Sequence, residues 1–405
     1  MRGFVENEAL RTSEQHRLDR LKSADERNKL GQFATPNALA VAIAAHLVGL
    51  RSTDSGPIRF LDPALGSGSF YSALRRVVSP DQIGEAVGIE IDPDFAGLAT
   101  NLWSRSGLTV TPGDFTRLDP PPIGQRANLI LANPPYVRHH HLGLVEKRRL
   151  KELVRQRSGF EVSGLAGFYL HFLLLSDAWL ETGGLAAWLI PCEFMDVNYG
   201  TILKKYLTDR VRLHQIHRFR PDDAQFGDAL VTSAVVIFEK SSPDPTRPIV
   251  LSYGGSLGSP EHAERLSLDD LRAARKWTNF PRRPSLDDPG PASITTLGDL
   301  FTIRRGLVTG ANGFFIKPRS EAIELGWPER YLRPILPSPR YLNNPVIESD
   351  LDGNPSLENP LVLLDCDRPE AEVQRDHPAL WAYLQDGAAC GLDAGYLTSR
   401  RDPWY

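Results

Sequence analysis

Residues 129–136 read Leu129-Ile130-Leu131-Ala132-Asn133-Pro134-Pro135-Tyr136, and this stretch decides the fold. The apolar run at its start is typical of a buried β-strand. The two prolines end that strand, because neither can donate a ladder hydrogen bond and each fixes its own φ. The sequence therefore predicts a rigid turn at the carboxyl end of a strand, which is the edge where open α/β sheets bind ligands.

The turn carries the groups needed to hold a planar amino group. Asn133 offers a side-chain carbonyl, the backbone carbonyl of Pro134 is a second acceptor, and Tyr136 can stack on the ring that carries the amine. Hydrogen bonds to both N–H groups favour a tetrahedral nitrogen whose lone pair is available for attack. The alternative is a Pro-Pro turn without function, and the segments that precede it decide between the two.

A glycine-rich turn follows the first predicted strand. Ile58–Asp62 is an apolar strand, and Ala64, Gly66 and Gly68 lie in the turn between it and a predicted helix. Glycines in such a turn let the backbone approach a ligand at a helix N-terminus. The turn lacks the three-glycine dinucleotide pattern, so it indicates a ligand site of a less specific kind.

Two further strands end in acidic residues. Glu90, at the end of the second strand, occupies the position that binds ribose hydroxyls in such folds, and Asp92 before Pro93 predicts the cap of the next helix. After a third strand near 108–110, Asp114 can accept from an adenine amino group and Phe115 can pack on its ring, although an ordinary acidic turn is the alternative. These strands predict an α/β fold with a doubly wound, Rossmann-like sheet and a nucleoside-containing cofactor.

Upstream, residues 30–36 read Leu-Gly-Gln-Phe-Ala-Thr-Pro and precede an apolar helical pattern over 38–50. We expect Thr35 to cap this helix and Pro36 to occupy its first position.

The ordered set of these motifs resembles the gamma class of S-adenosylmethionine-dependent adenine-N6 DNA methyltransferases of restriction–modification systems. The motifs are Gly-Gln-Phe-Ala-Thr-Pro, Asp-Pro-Ala-Leu-Gly-Ser-Gly-Ser-Phe, Gly-Ile-Glu-Ile-Asp, Gly-Asp-Phe and Asn-Pro-Pro-Tyr-Val, and the similarity extends over residues 30–316. Each motif alone is weak, but five in this order are specific.

The resemblance implies a role for each matching residue. Thr35 and Pro36 would line the methionine end of S-adenosyl-L-methionine, and its amino-acid moiety would be surrounded by Asp62, Ala64, Gly66 and Gly68. Glu90 would bind the ribose, and Asp114 and Phe115 the adenine. The flipped target adenine would be held by Asn133, Pro134, Pro135 and Tyr136, with Phe226 as a second stacking partner.

A basic segment follows the reactive turn. Residues 138–157 hold seven Arg or Lys against two Glu, and Arg138, Lys147, Arg148 and Arg149 are candidate DNA phosphate contacts. By charge alone a solvated helix face is as good an explanation, and the position beside the turn favours DNA. Three consecutive histidines, 139–141, rarely point at one ion, so we predict no metal site.

The composition sets outer limits on the function. A net charge of −4 over 405 residues makes any nucleic-acid surface a local patch. Three cysteines without metal spacing indicate reduced thiols, and the charged N-terminus predicts no signal peptide. No run of about 18 apolar residues predicts a membrane helix. We expect a cytoplasmic protein.

We predict four segments: an exposed N-terminal helical arm (1–30), a catalytic domain (31–240), a linker rich in Pro, Ser and Gly (241–292) and a mixed α+β target-recognition domain (293–405). The last contains short strands near 314–316 and 361–364. Relatives continue beyond the Arg-x-Pro-Trp-Tyr stretch at 401–405, so we expect a longer native chain.

Double-stranded DNA is the expected partner, with cleavage left to a separate cognate restriction endonuclease. Two alternatives remain open. One is methylation of a protein glutamine amide or an RNA base amine, and the other is a catalytically silent DNA-binding subunit.

Overall fold

The structure is a computed structural model that describes residues 2–23, 26–27, 30–52, 55–220, 232–282, 297–302, 306–338, 342, 346–351 and 353–405. The chain divides into two compact units, residues 1–288 and 289–405.

The first unit is built on a nine-stranded sheet. In chain order its helices and strands are α1 (Arg2–Arg20), α2 (Asn37–Gly49), β1 (Ile58–Asp62), α3 (Ser69–Val77), β2 (Ile83–Glu90), α4 (Pro93–Trp103), β3 (Leu108–Pro112), β4 (Ala127–Ala132), α5 (Leu144–Ser158), α6 (Phe168–Ser176), β5 (Leu180–Pro191), α7 (Thr201–Asp209), β6 (Arg212–Arg218), β7 (Ser233–Glu239), β8 (Ile249–Gly255), β9 (Pro260–Leu266) and α8 (Leu268–Ala273).

The strand order is β3-β2-β1-β4-β5-β7-β6-β8-β9. Strands β1 to β5 are parallel, whereas β7 runs antiparallel to both β5 and β6. This confirms the predicted α/β fold. The chain order reverses between β1 and β4, so the carboxyl ends of these two neighbours border a crevice, and such crevices bind ligands in open sheets.

Strand β4 is buried on both faces, which explains its unbroken apolar sequence. Leu129 and Leu131 pack in one hydrophobic core with residues of α2, α3 and α4. Ile130 and Ala132 pack in the other core with residues of α6 and α7. Because side chains alternate across a strand, one short segment joins both cores and holds the following turn rigidly.

The predicted linker is a folded part of the sheet in this structure. Strand β8 pairs with β6, and β9 pairs with β8. Ile249, Leu251 and Leu266 are buried in the core. Five of the glycines and serines of this segment lie at the end of β8 and in the turn to β9: Gly254, Gly255, Ser256, Gly258 and Ser259. Helix α8 follows β9 directly, so the segment predicted as a linker contains two strands and a helix.

The predicted exposed arm is also packed. Helix α1 contacts α4 and buries Glu8, Arg11, Gln15 and Leu18. These positions lie three or four residues apart, so they form one face of the helix. The arm looked exposed in the sequence because most of the residues on this face are polar.

The second unit contains α9 (Leu297–Leu300), α10 (Asn312–Phe315), β10 (Ile316–Pro318), α11 (Arg319–Glu324), β11 (Leu332–Ile335), β12 (Leu361–Leu364), α12 (Glu370–Asp376) and α13 (Pro378–Ala389). Its three strands form one sheet in the order β10-β12-β11. The predicted mixed α+β character and the strand at 361–364 agree with these elements, and residues 314–315 are helical rather than extended. Phe315, Trp327 and Val362 belong to its separate hydrophobic core.

Candidate functional site

The side chain of Asn133 is held in one orientation at the carboxyl end of β4. Its Nδ2 donates to the carbonyl of Phe33 at 2.9 Å and to Oγ1 of Thr35 at 3.1 Å. A backbone carbonyl can only accept, so this contact fixes which end of the amide is the nitrogen. The opposite atom, Oδ1, is buried and has no hydrogen-bond partner within the described part of the chain. A buried acceptor without a donor costs free energy, and it marks the place where a ligand donor would bind.

The prediction that Thr35 caps helix α2 is therefore wrong. The position before α2 is occupied by Pro36, and no side chain caps this helix. The hydroxyl of Thr35 instead receives the Asn133 amide, whose residue lies 98 positions further along the chain.

Backbone and aromatic contacts anchor the turn from behind. The N–H of Tyr136 donates to the carbonyl of Gly31 at 3.1 Å, and its hydroxyl donates to the carbonyl of Leu189 at 3.0 Å. The ring lies against Phe33, with 5.7 Å between ring centroids. Only 7% of Tyr136 is exposed, and burial raises the pKa of its phenol. In this structure Tyr136 supports the turn, so its stacking on a target ring stays a prediction.

The backbone of Gly31 packs directly against this turn. Its φ is +64°, and a Cβ at this position would lie 2.3 Å from the backbone nitrogen of Tyr136. Gly56 has nearly the same φ, +66°, but a Cβ there would meet nothing within 4 Å. Alanine substitutions at Gly31 and Gly56 therefore separate the free-energy cost of a left-handed backbone from the cost of a steric clash.

We expect Gly31→Ala to destabilise the protein by roughly 3 kcal/mol or more, because strain and overpacking add. Gly56→Ala should cost about 1 kcal/mol, since strain acts alone. Urea unfolding of both variants measures the difference. Equal losses would show that the approach of Gly31 to the turn is not tight.

A cavity of about 260 Å³ opens at the crevice between β1 and β4. The predicted site residues that line it are Thr35, Asp62, Ala64, Gly66, Glu90, Asp114, Phe115, Asn133 and Pro135. Four described residues that were predicted to hold the cofactor or the target base are not part of the lining: Pro36, Gly68, Pro134 and Tyr136. Gly68 serves packing, because a Cβ there would lie 2.7 Å from Nε1 of Trp103. Phe226 lies outside the described residues.

Two buried carboxylates lie on one side of this cavity. Asp62 is 1% exposed, and burial, with a smaller contribution from the charge of Glu90, raises its pKa to about 8. Burial likewise raises the pKa of Glu90, which accepts from the N–H groups of Gly66 at 2.7 Å and Asp92 at 2.8 Å. Among the described residues neither carboxylate has a cationic partner within ion-pair distance. The pair suits a ligand that brings a positive charge and hydroxyl groups.

Comparisons with known proteins relate this chain to methyltransferases of restriction–modification systems. Residues 124–226 match a family model described as the Eco57I restriction-modification methylase, and residues 290–405 match the C-terminal domain of the Type II methyltransferase M.Eco57I. The Type II methyltransferase M.XamI of Xanthomonas campestris pv. amaranthicola is 29% identical over 91% of this chain and 69% of its own length. M.AccI of Acinetobacter calcoaceticus is 24% identical over 95% of this chain and 70% of its own length.

The chain is a relative of the restriction–modification methyltransferases. This confirms the resemblance drawn from the five motifs and supports a DNA methyltransferase function.

Solved structures that resemble this chain in fold include a type IIG restriction endonuclease and a putative methyltransferase. The type IIG restriction endonuclease BpuSI has a TM-score of 0.49 and 17% identity, covering 92% of this chain and 47% of that one. A putative class I S-adenosylmethionine-dependent methyltransferase from Listeria monocytogenes has a TM-score of 0.45 and 18% identity, covering 56% of this chain and 67% of that one.

S-adenosyl-L-methionine is the cofactor of this methyltransferase, and the cavity fits it. Its ammonium and sulfonium groups are positive, and its ribose carries hydroxyls. Asp62 and Glu90 supply the buried negative charge that such a molecule needs. No donor among the described residues binds Asn133 Oδ1, so the acceptor stays available beside the cofactor cavity.

Asp114 and Phe115 have protein partners as well as places in the cavity wall. Asp114 accepts from the N–H of Thr116 at 2.9 Å and from its hydroxyl at 2.8 Å, so it caps a short helical turn. The Phe115 ring lies 5.2 Å from Phe172. These contacts fix both residues before any ligand arrives.

The sequence reasoning missed much of the apolar lining, including Ile91, Phe168 and Phe172. Ile91 is 67% exposed although it follows a buried strand directly. Phe168 and Phe172 are four residues apart in α6 and so share one face. An isoleucine directly after Glu90, together with two phenylalanines four residues apart, was the available sequence signal for an apolar slot.

Three of the four predicted phosphate contacts lie in helix α5 and Arg138 precedes it, and the four differ from one another. Arg138 and Arg148 are exposed and Lys147 is half-buried. Arg149 instead pairs with Glu146 at 2.5 Å and donates to the carbonyl and hydroxyl of Thr116. Arg149 therefore ties α5 to the Asp114 turn.

None of the helices within the described residues is long and apolar enough to cross a membrane.

Proposed function

We propose that this methyltransferase transfers the methyl group of S-adenosyl-L-methionine to N6 of a flipped-out adenine in double-stranded DNA. The observation that carries the proposal is the orphaned Oδ1 of Asn133 beside the cofactor cavity. A buried acceptor with a fixed amide selects a substrate that brings an N–H donor. An exocyclic amino group on a planar ring is that donor.

The bound cofactor supplies an electrophilic methyl group. Asn133 accepts one hydrogen of the amine, and the carbonyl of Pro134 accepts the other. These two bonds hold the nitrogen in line with the methyl group and stabilise the positive charge that develops on it. Pro135 lines the cofactor cavity from the same turn, so the two substrates meet at this turn.

An adenine inside a duplex cannot reach this turn, so the base must leave the stack at a cost of a few kcal/mol. Tyr136 and Phe226 are the proposed stacking partners that offset this cost. The proposed phosphate contacts are Arg138, Lys147 and Arg148, because they follow the turn in the chain and their side chains are exposed or half-buried.

The physiological role that we propose is the modification half of a restriction–modification system in the cytoplasm, with a separate cognate endonuclease. The chain spans about 70% of the length of M.XamI and M.AccI.

The test is transfer of labelled methyl groups from S-adenosyl-L-methionine to unmethylated genomic DNA, followed by digestion to nucleosides. We expect the label in N6-methyldeoxyadenosine and none after prior methylation of the same DNA by this chain. Label in N4-methyldeoxycytidine would overturn the choice of base. Label in RNA or protein, with none in DNA, would overturn the choice of substrate class.

A further inference from the structure

Arg11 of helix α1 is a buried charge that the catalytic turn does not use. Arg11 is 3% exposed, and each nitrogen of its guanidinium donates a hydrogen bond. Nε and Nη2 donate to the two carboxylate oxygens of Glu8, at 2.9 Å and 2.7 Å. Nη1 donates to Oγ of Ser67 at 3.1 Å and to Oγ of Ser69 at 2.8 Å.

These two serines belong to the glycine-rich turn of the cofactor site. Ser67 lies between Gly66 and Gly68, and its carbonyl accepts from Nε1 of Trp103 at 3.0 Å. Both serines line the cavity together with Gly66. The N–H of Gly66 in turn holds Glu90. Arg11 thus connects α1 to the turn that positions the Glu90 carboxylate.

The same face of α1 reaches the cavity itself. One turn beyond Arg11, Gln15 lines the cavity, and one further turn on Asp19 does so too. Nε2 of Gln15 donates to Oδ1 of Asp19 at 3.0 Å. A helix whose role was only to cover a core would bury apolar residues here, whereas this face is polar and points at the ligand site.

We infer that Arg11 is a positioning residue for cofactor binding, and that helix α1 is an integral part of the cofactor site. Through Ser67 and Ser69 the guanidinium holds the glycine-rich turn in the shape that binds the methionine end of S-adenosylmethionine. Arg11 touches no reacting atom, so it sets the affinity for the cofactor and leaves the rate of methyl transfer at saturation unchanged.

A buried ion pair alone is weak evidence of a stabilising role, because its desolvation cost offsets much of its attraction. What favours positioning is the pair of hydrogen bonds directed to the turn. Glu8 neutralises Arg11 and also accepts from the hydroxyl of Ser72 in α3, so the network extends along the start of α3 rather than into the core.

The test is isothermal titration of the full chain with S-adenosylhomocysteine, which needs no DNA. We expect Arg11→Met to weaken binding about tenfold, as the loss of two buried hydrogen bonds suggests. Arg11→Lys should recover part of the loss, since an ammonium can still donate to one serine. The matched control is Arg17→Met on the same helix, whose side chain is 58% exposed and pairs with Glu14 alone among the described residues, and it should bind like the wild type.

A double-mutant cycle separates positioning from loss of folding. Ser69→Ala removes one partner and leaves the Arg11–Glu8 pair intact, so it should fold and bind several-fold more weakly. Arg11→Met with Ser69→Ala should be little weaker than Arg11→Met alone, because both changes act through one contact. Glu8→Gln with Arg11→Met avoids a buried unpaired carboxylate if the single variant unfolds.

A second readout is hydrogen exchange of the amides over residues 64–70, which should quicken in Arg11→Met and not in Arg17→Met. Methyl transfer should show a raised KM for the cofactor with kcat within twofold. Unchanged affinity in Arg11→Met and Ser69→Ala, with folded protein, would overturn the inference.

The inference depends on the proposed function in one respect only, which is the identity of the cofactor. If the wild-type chain binds S-adenosylhomocysteine but methylates no DNA, the proposed substrate fails and the inference stands or falls on the binding data alone.

Discussion

Asn133→Ala should lower kcat for DNA methylation by roughly 10³-fold, which is the scale measured for removal of one preorganised group that stabilises developing charge. The alanine removes the Oδ1 acceptor that we propose for the target amine. Cofactor affinity should stay within a few-fold, because Asp62, Glu90 and the glycine-rich turn are untouched. The measurements are kcat with saturating DNA and titration of S-adenosylhomocysteine into the same preparation.

The effect on stability should be small, and this distinguishes a site residue from a structural one. Asn133→Ala loses the bonds from Nδ2 to Phe33 and Thr35 but also removes a buried acceptor that no described residue satisfies. These contributions oppose each other. A site that is strained for function often gains stability when its polar group is removed.

Asn128 is the matched control, because it is a buried amide at the opposite end of the same strand. Its Oδ1 accepts from the N–H of Arg59 at 2.8 Å, and its Nδ2 donates to the carbonyl of Pro57 at 2.9 Å. Asn128→Ala should destabilise by about 1–3 kcal/mol and keep kcat per folded molecule. If Asn133→Ala methylates DNA at the wild-type rate, the assignment of the turn is wrong.

Thr35→Val tests the orientation of the amide rather than the acceptor itself. It removes one of the two acceptors for Nδ2 and leaves the carbonyl of Phe33. We expect a loss in kcat of about tenfold, smaller than that of Asn133→Ala.

The sequence predicted the elements whose signals are local. Strand β1, the caps at Asp92 and the turn after β4 each depend on neighbouring residues, so alternation, proline placement and capping chemistry identify them. The sequence predicted a ligand site at the carboxyl edge of the sheet, but the strand order that forms the crevice between β1 and β4 is seen only in the structure.

The contacts that the sequence did not predict join residues far apart in the chain. The cap signal at Thr35 was real as a local pattern, yet its hydroxyl holds an amide 98 residues away. The charges of Glu8 and Arg11 indicated solvent, because only the fold shows that they pair with each other and with Ser69. Strands β8 and β9 were hidden by prolines and glycines that the structure places at their ends and turns.

Asp62→Asn should weaken S-adenosylhomocysteine binding by roughly 10- to 100-fold at pH 8, which corresponds to loss of a buried charge-assisted contact. This ligand keeps the ammonium of the cofactor and lacks the sulfonium, so it isolates the contact with the amino-acid moiety. Asp81→Asn, a change at an exposed turn, is the control and should bind normally. Equal affinity of Asp62→Asn and wild type at pH 8 would exclude Asp62 from the ammonium site.

The pH dependence gives the sharper test, because the Asp62 pKa of about 8 makes the free carboxyl largely neutral at pH 6. Wild-type affinity should rise with pH towards 8 as Asp62 ionises, and fall at higher pH as the ligand's α-amino group loses its proton. Asn resembles the neutral acid in shape, so the difference between variant and wild type should close at low pH. Glu90, whose pKa is also raised, leaves a residual slope in the variant.

Stability of the free protein should change in the opposite sense. A carboxyl whose pKa is raised on folding stabilises the protein below its unfolded pKa, near 3.8, and that contribution is lost as pH rises through about 8. Asp62→Asn cannot ionise, so at pH 8 it should unfold at higher urea concentration than the wild type while binding the ligand more weakly. A variant that loses both stability and affinity would mean that Asp62 supports the β1 turn rather than the ligand. A gain in stability together with a loss of affinity would show that the buried charge of Asp62 serves ligand binding at the expense of stability.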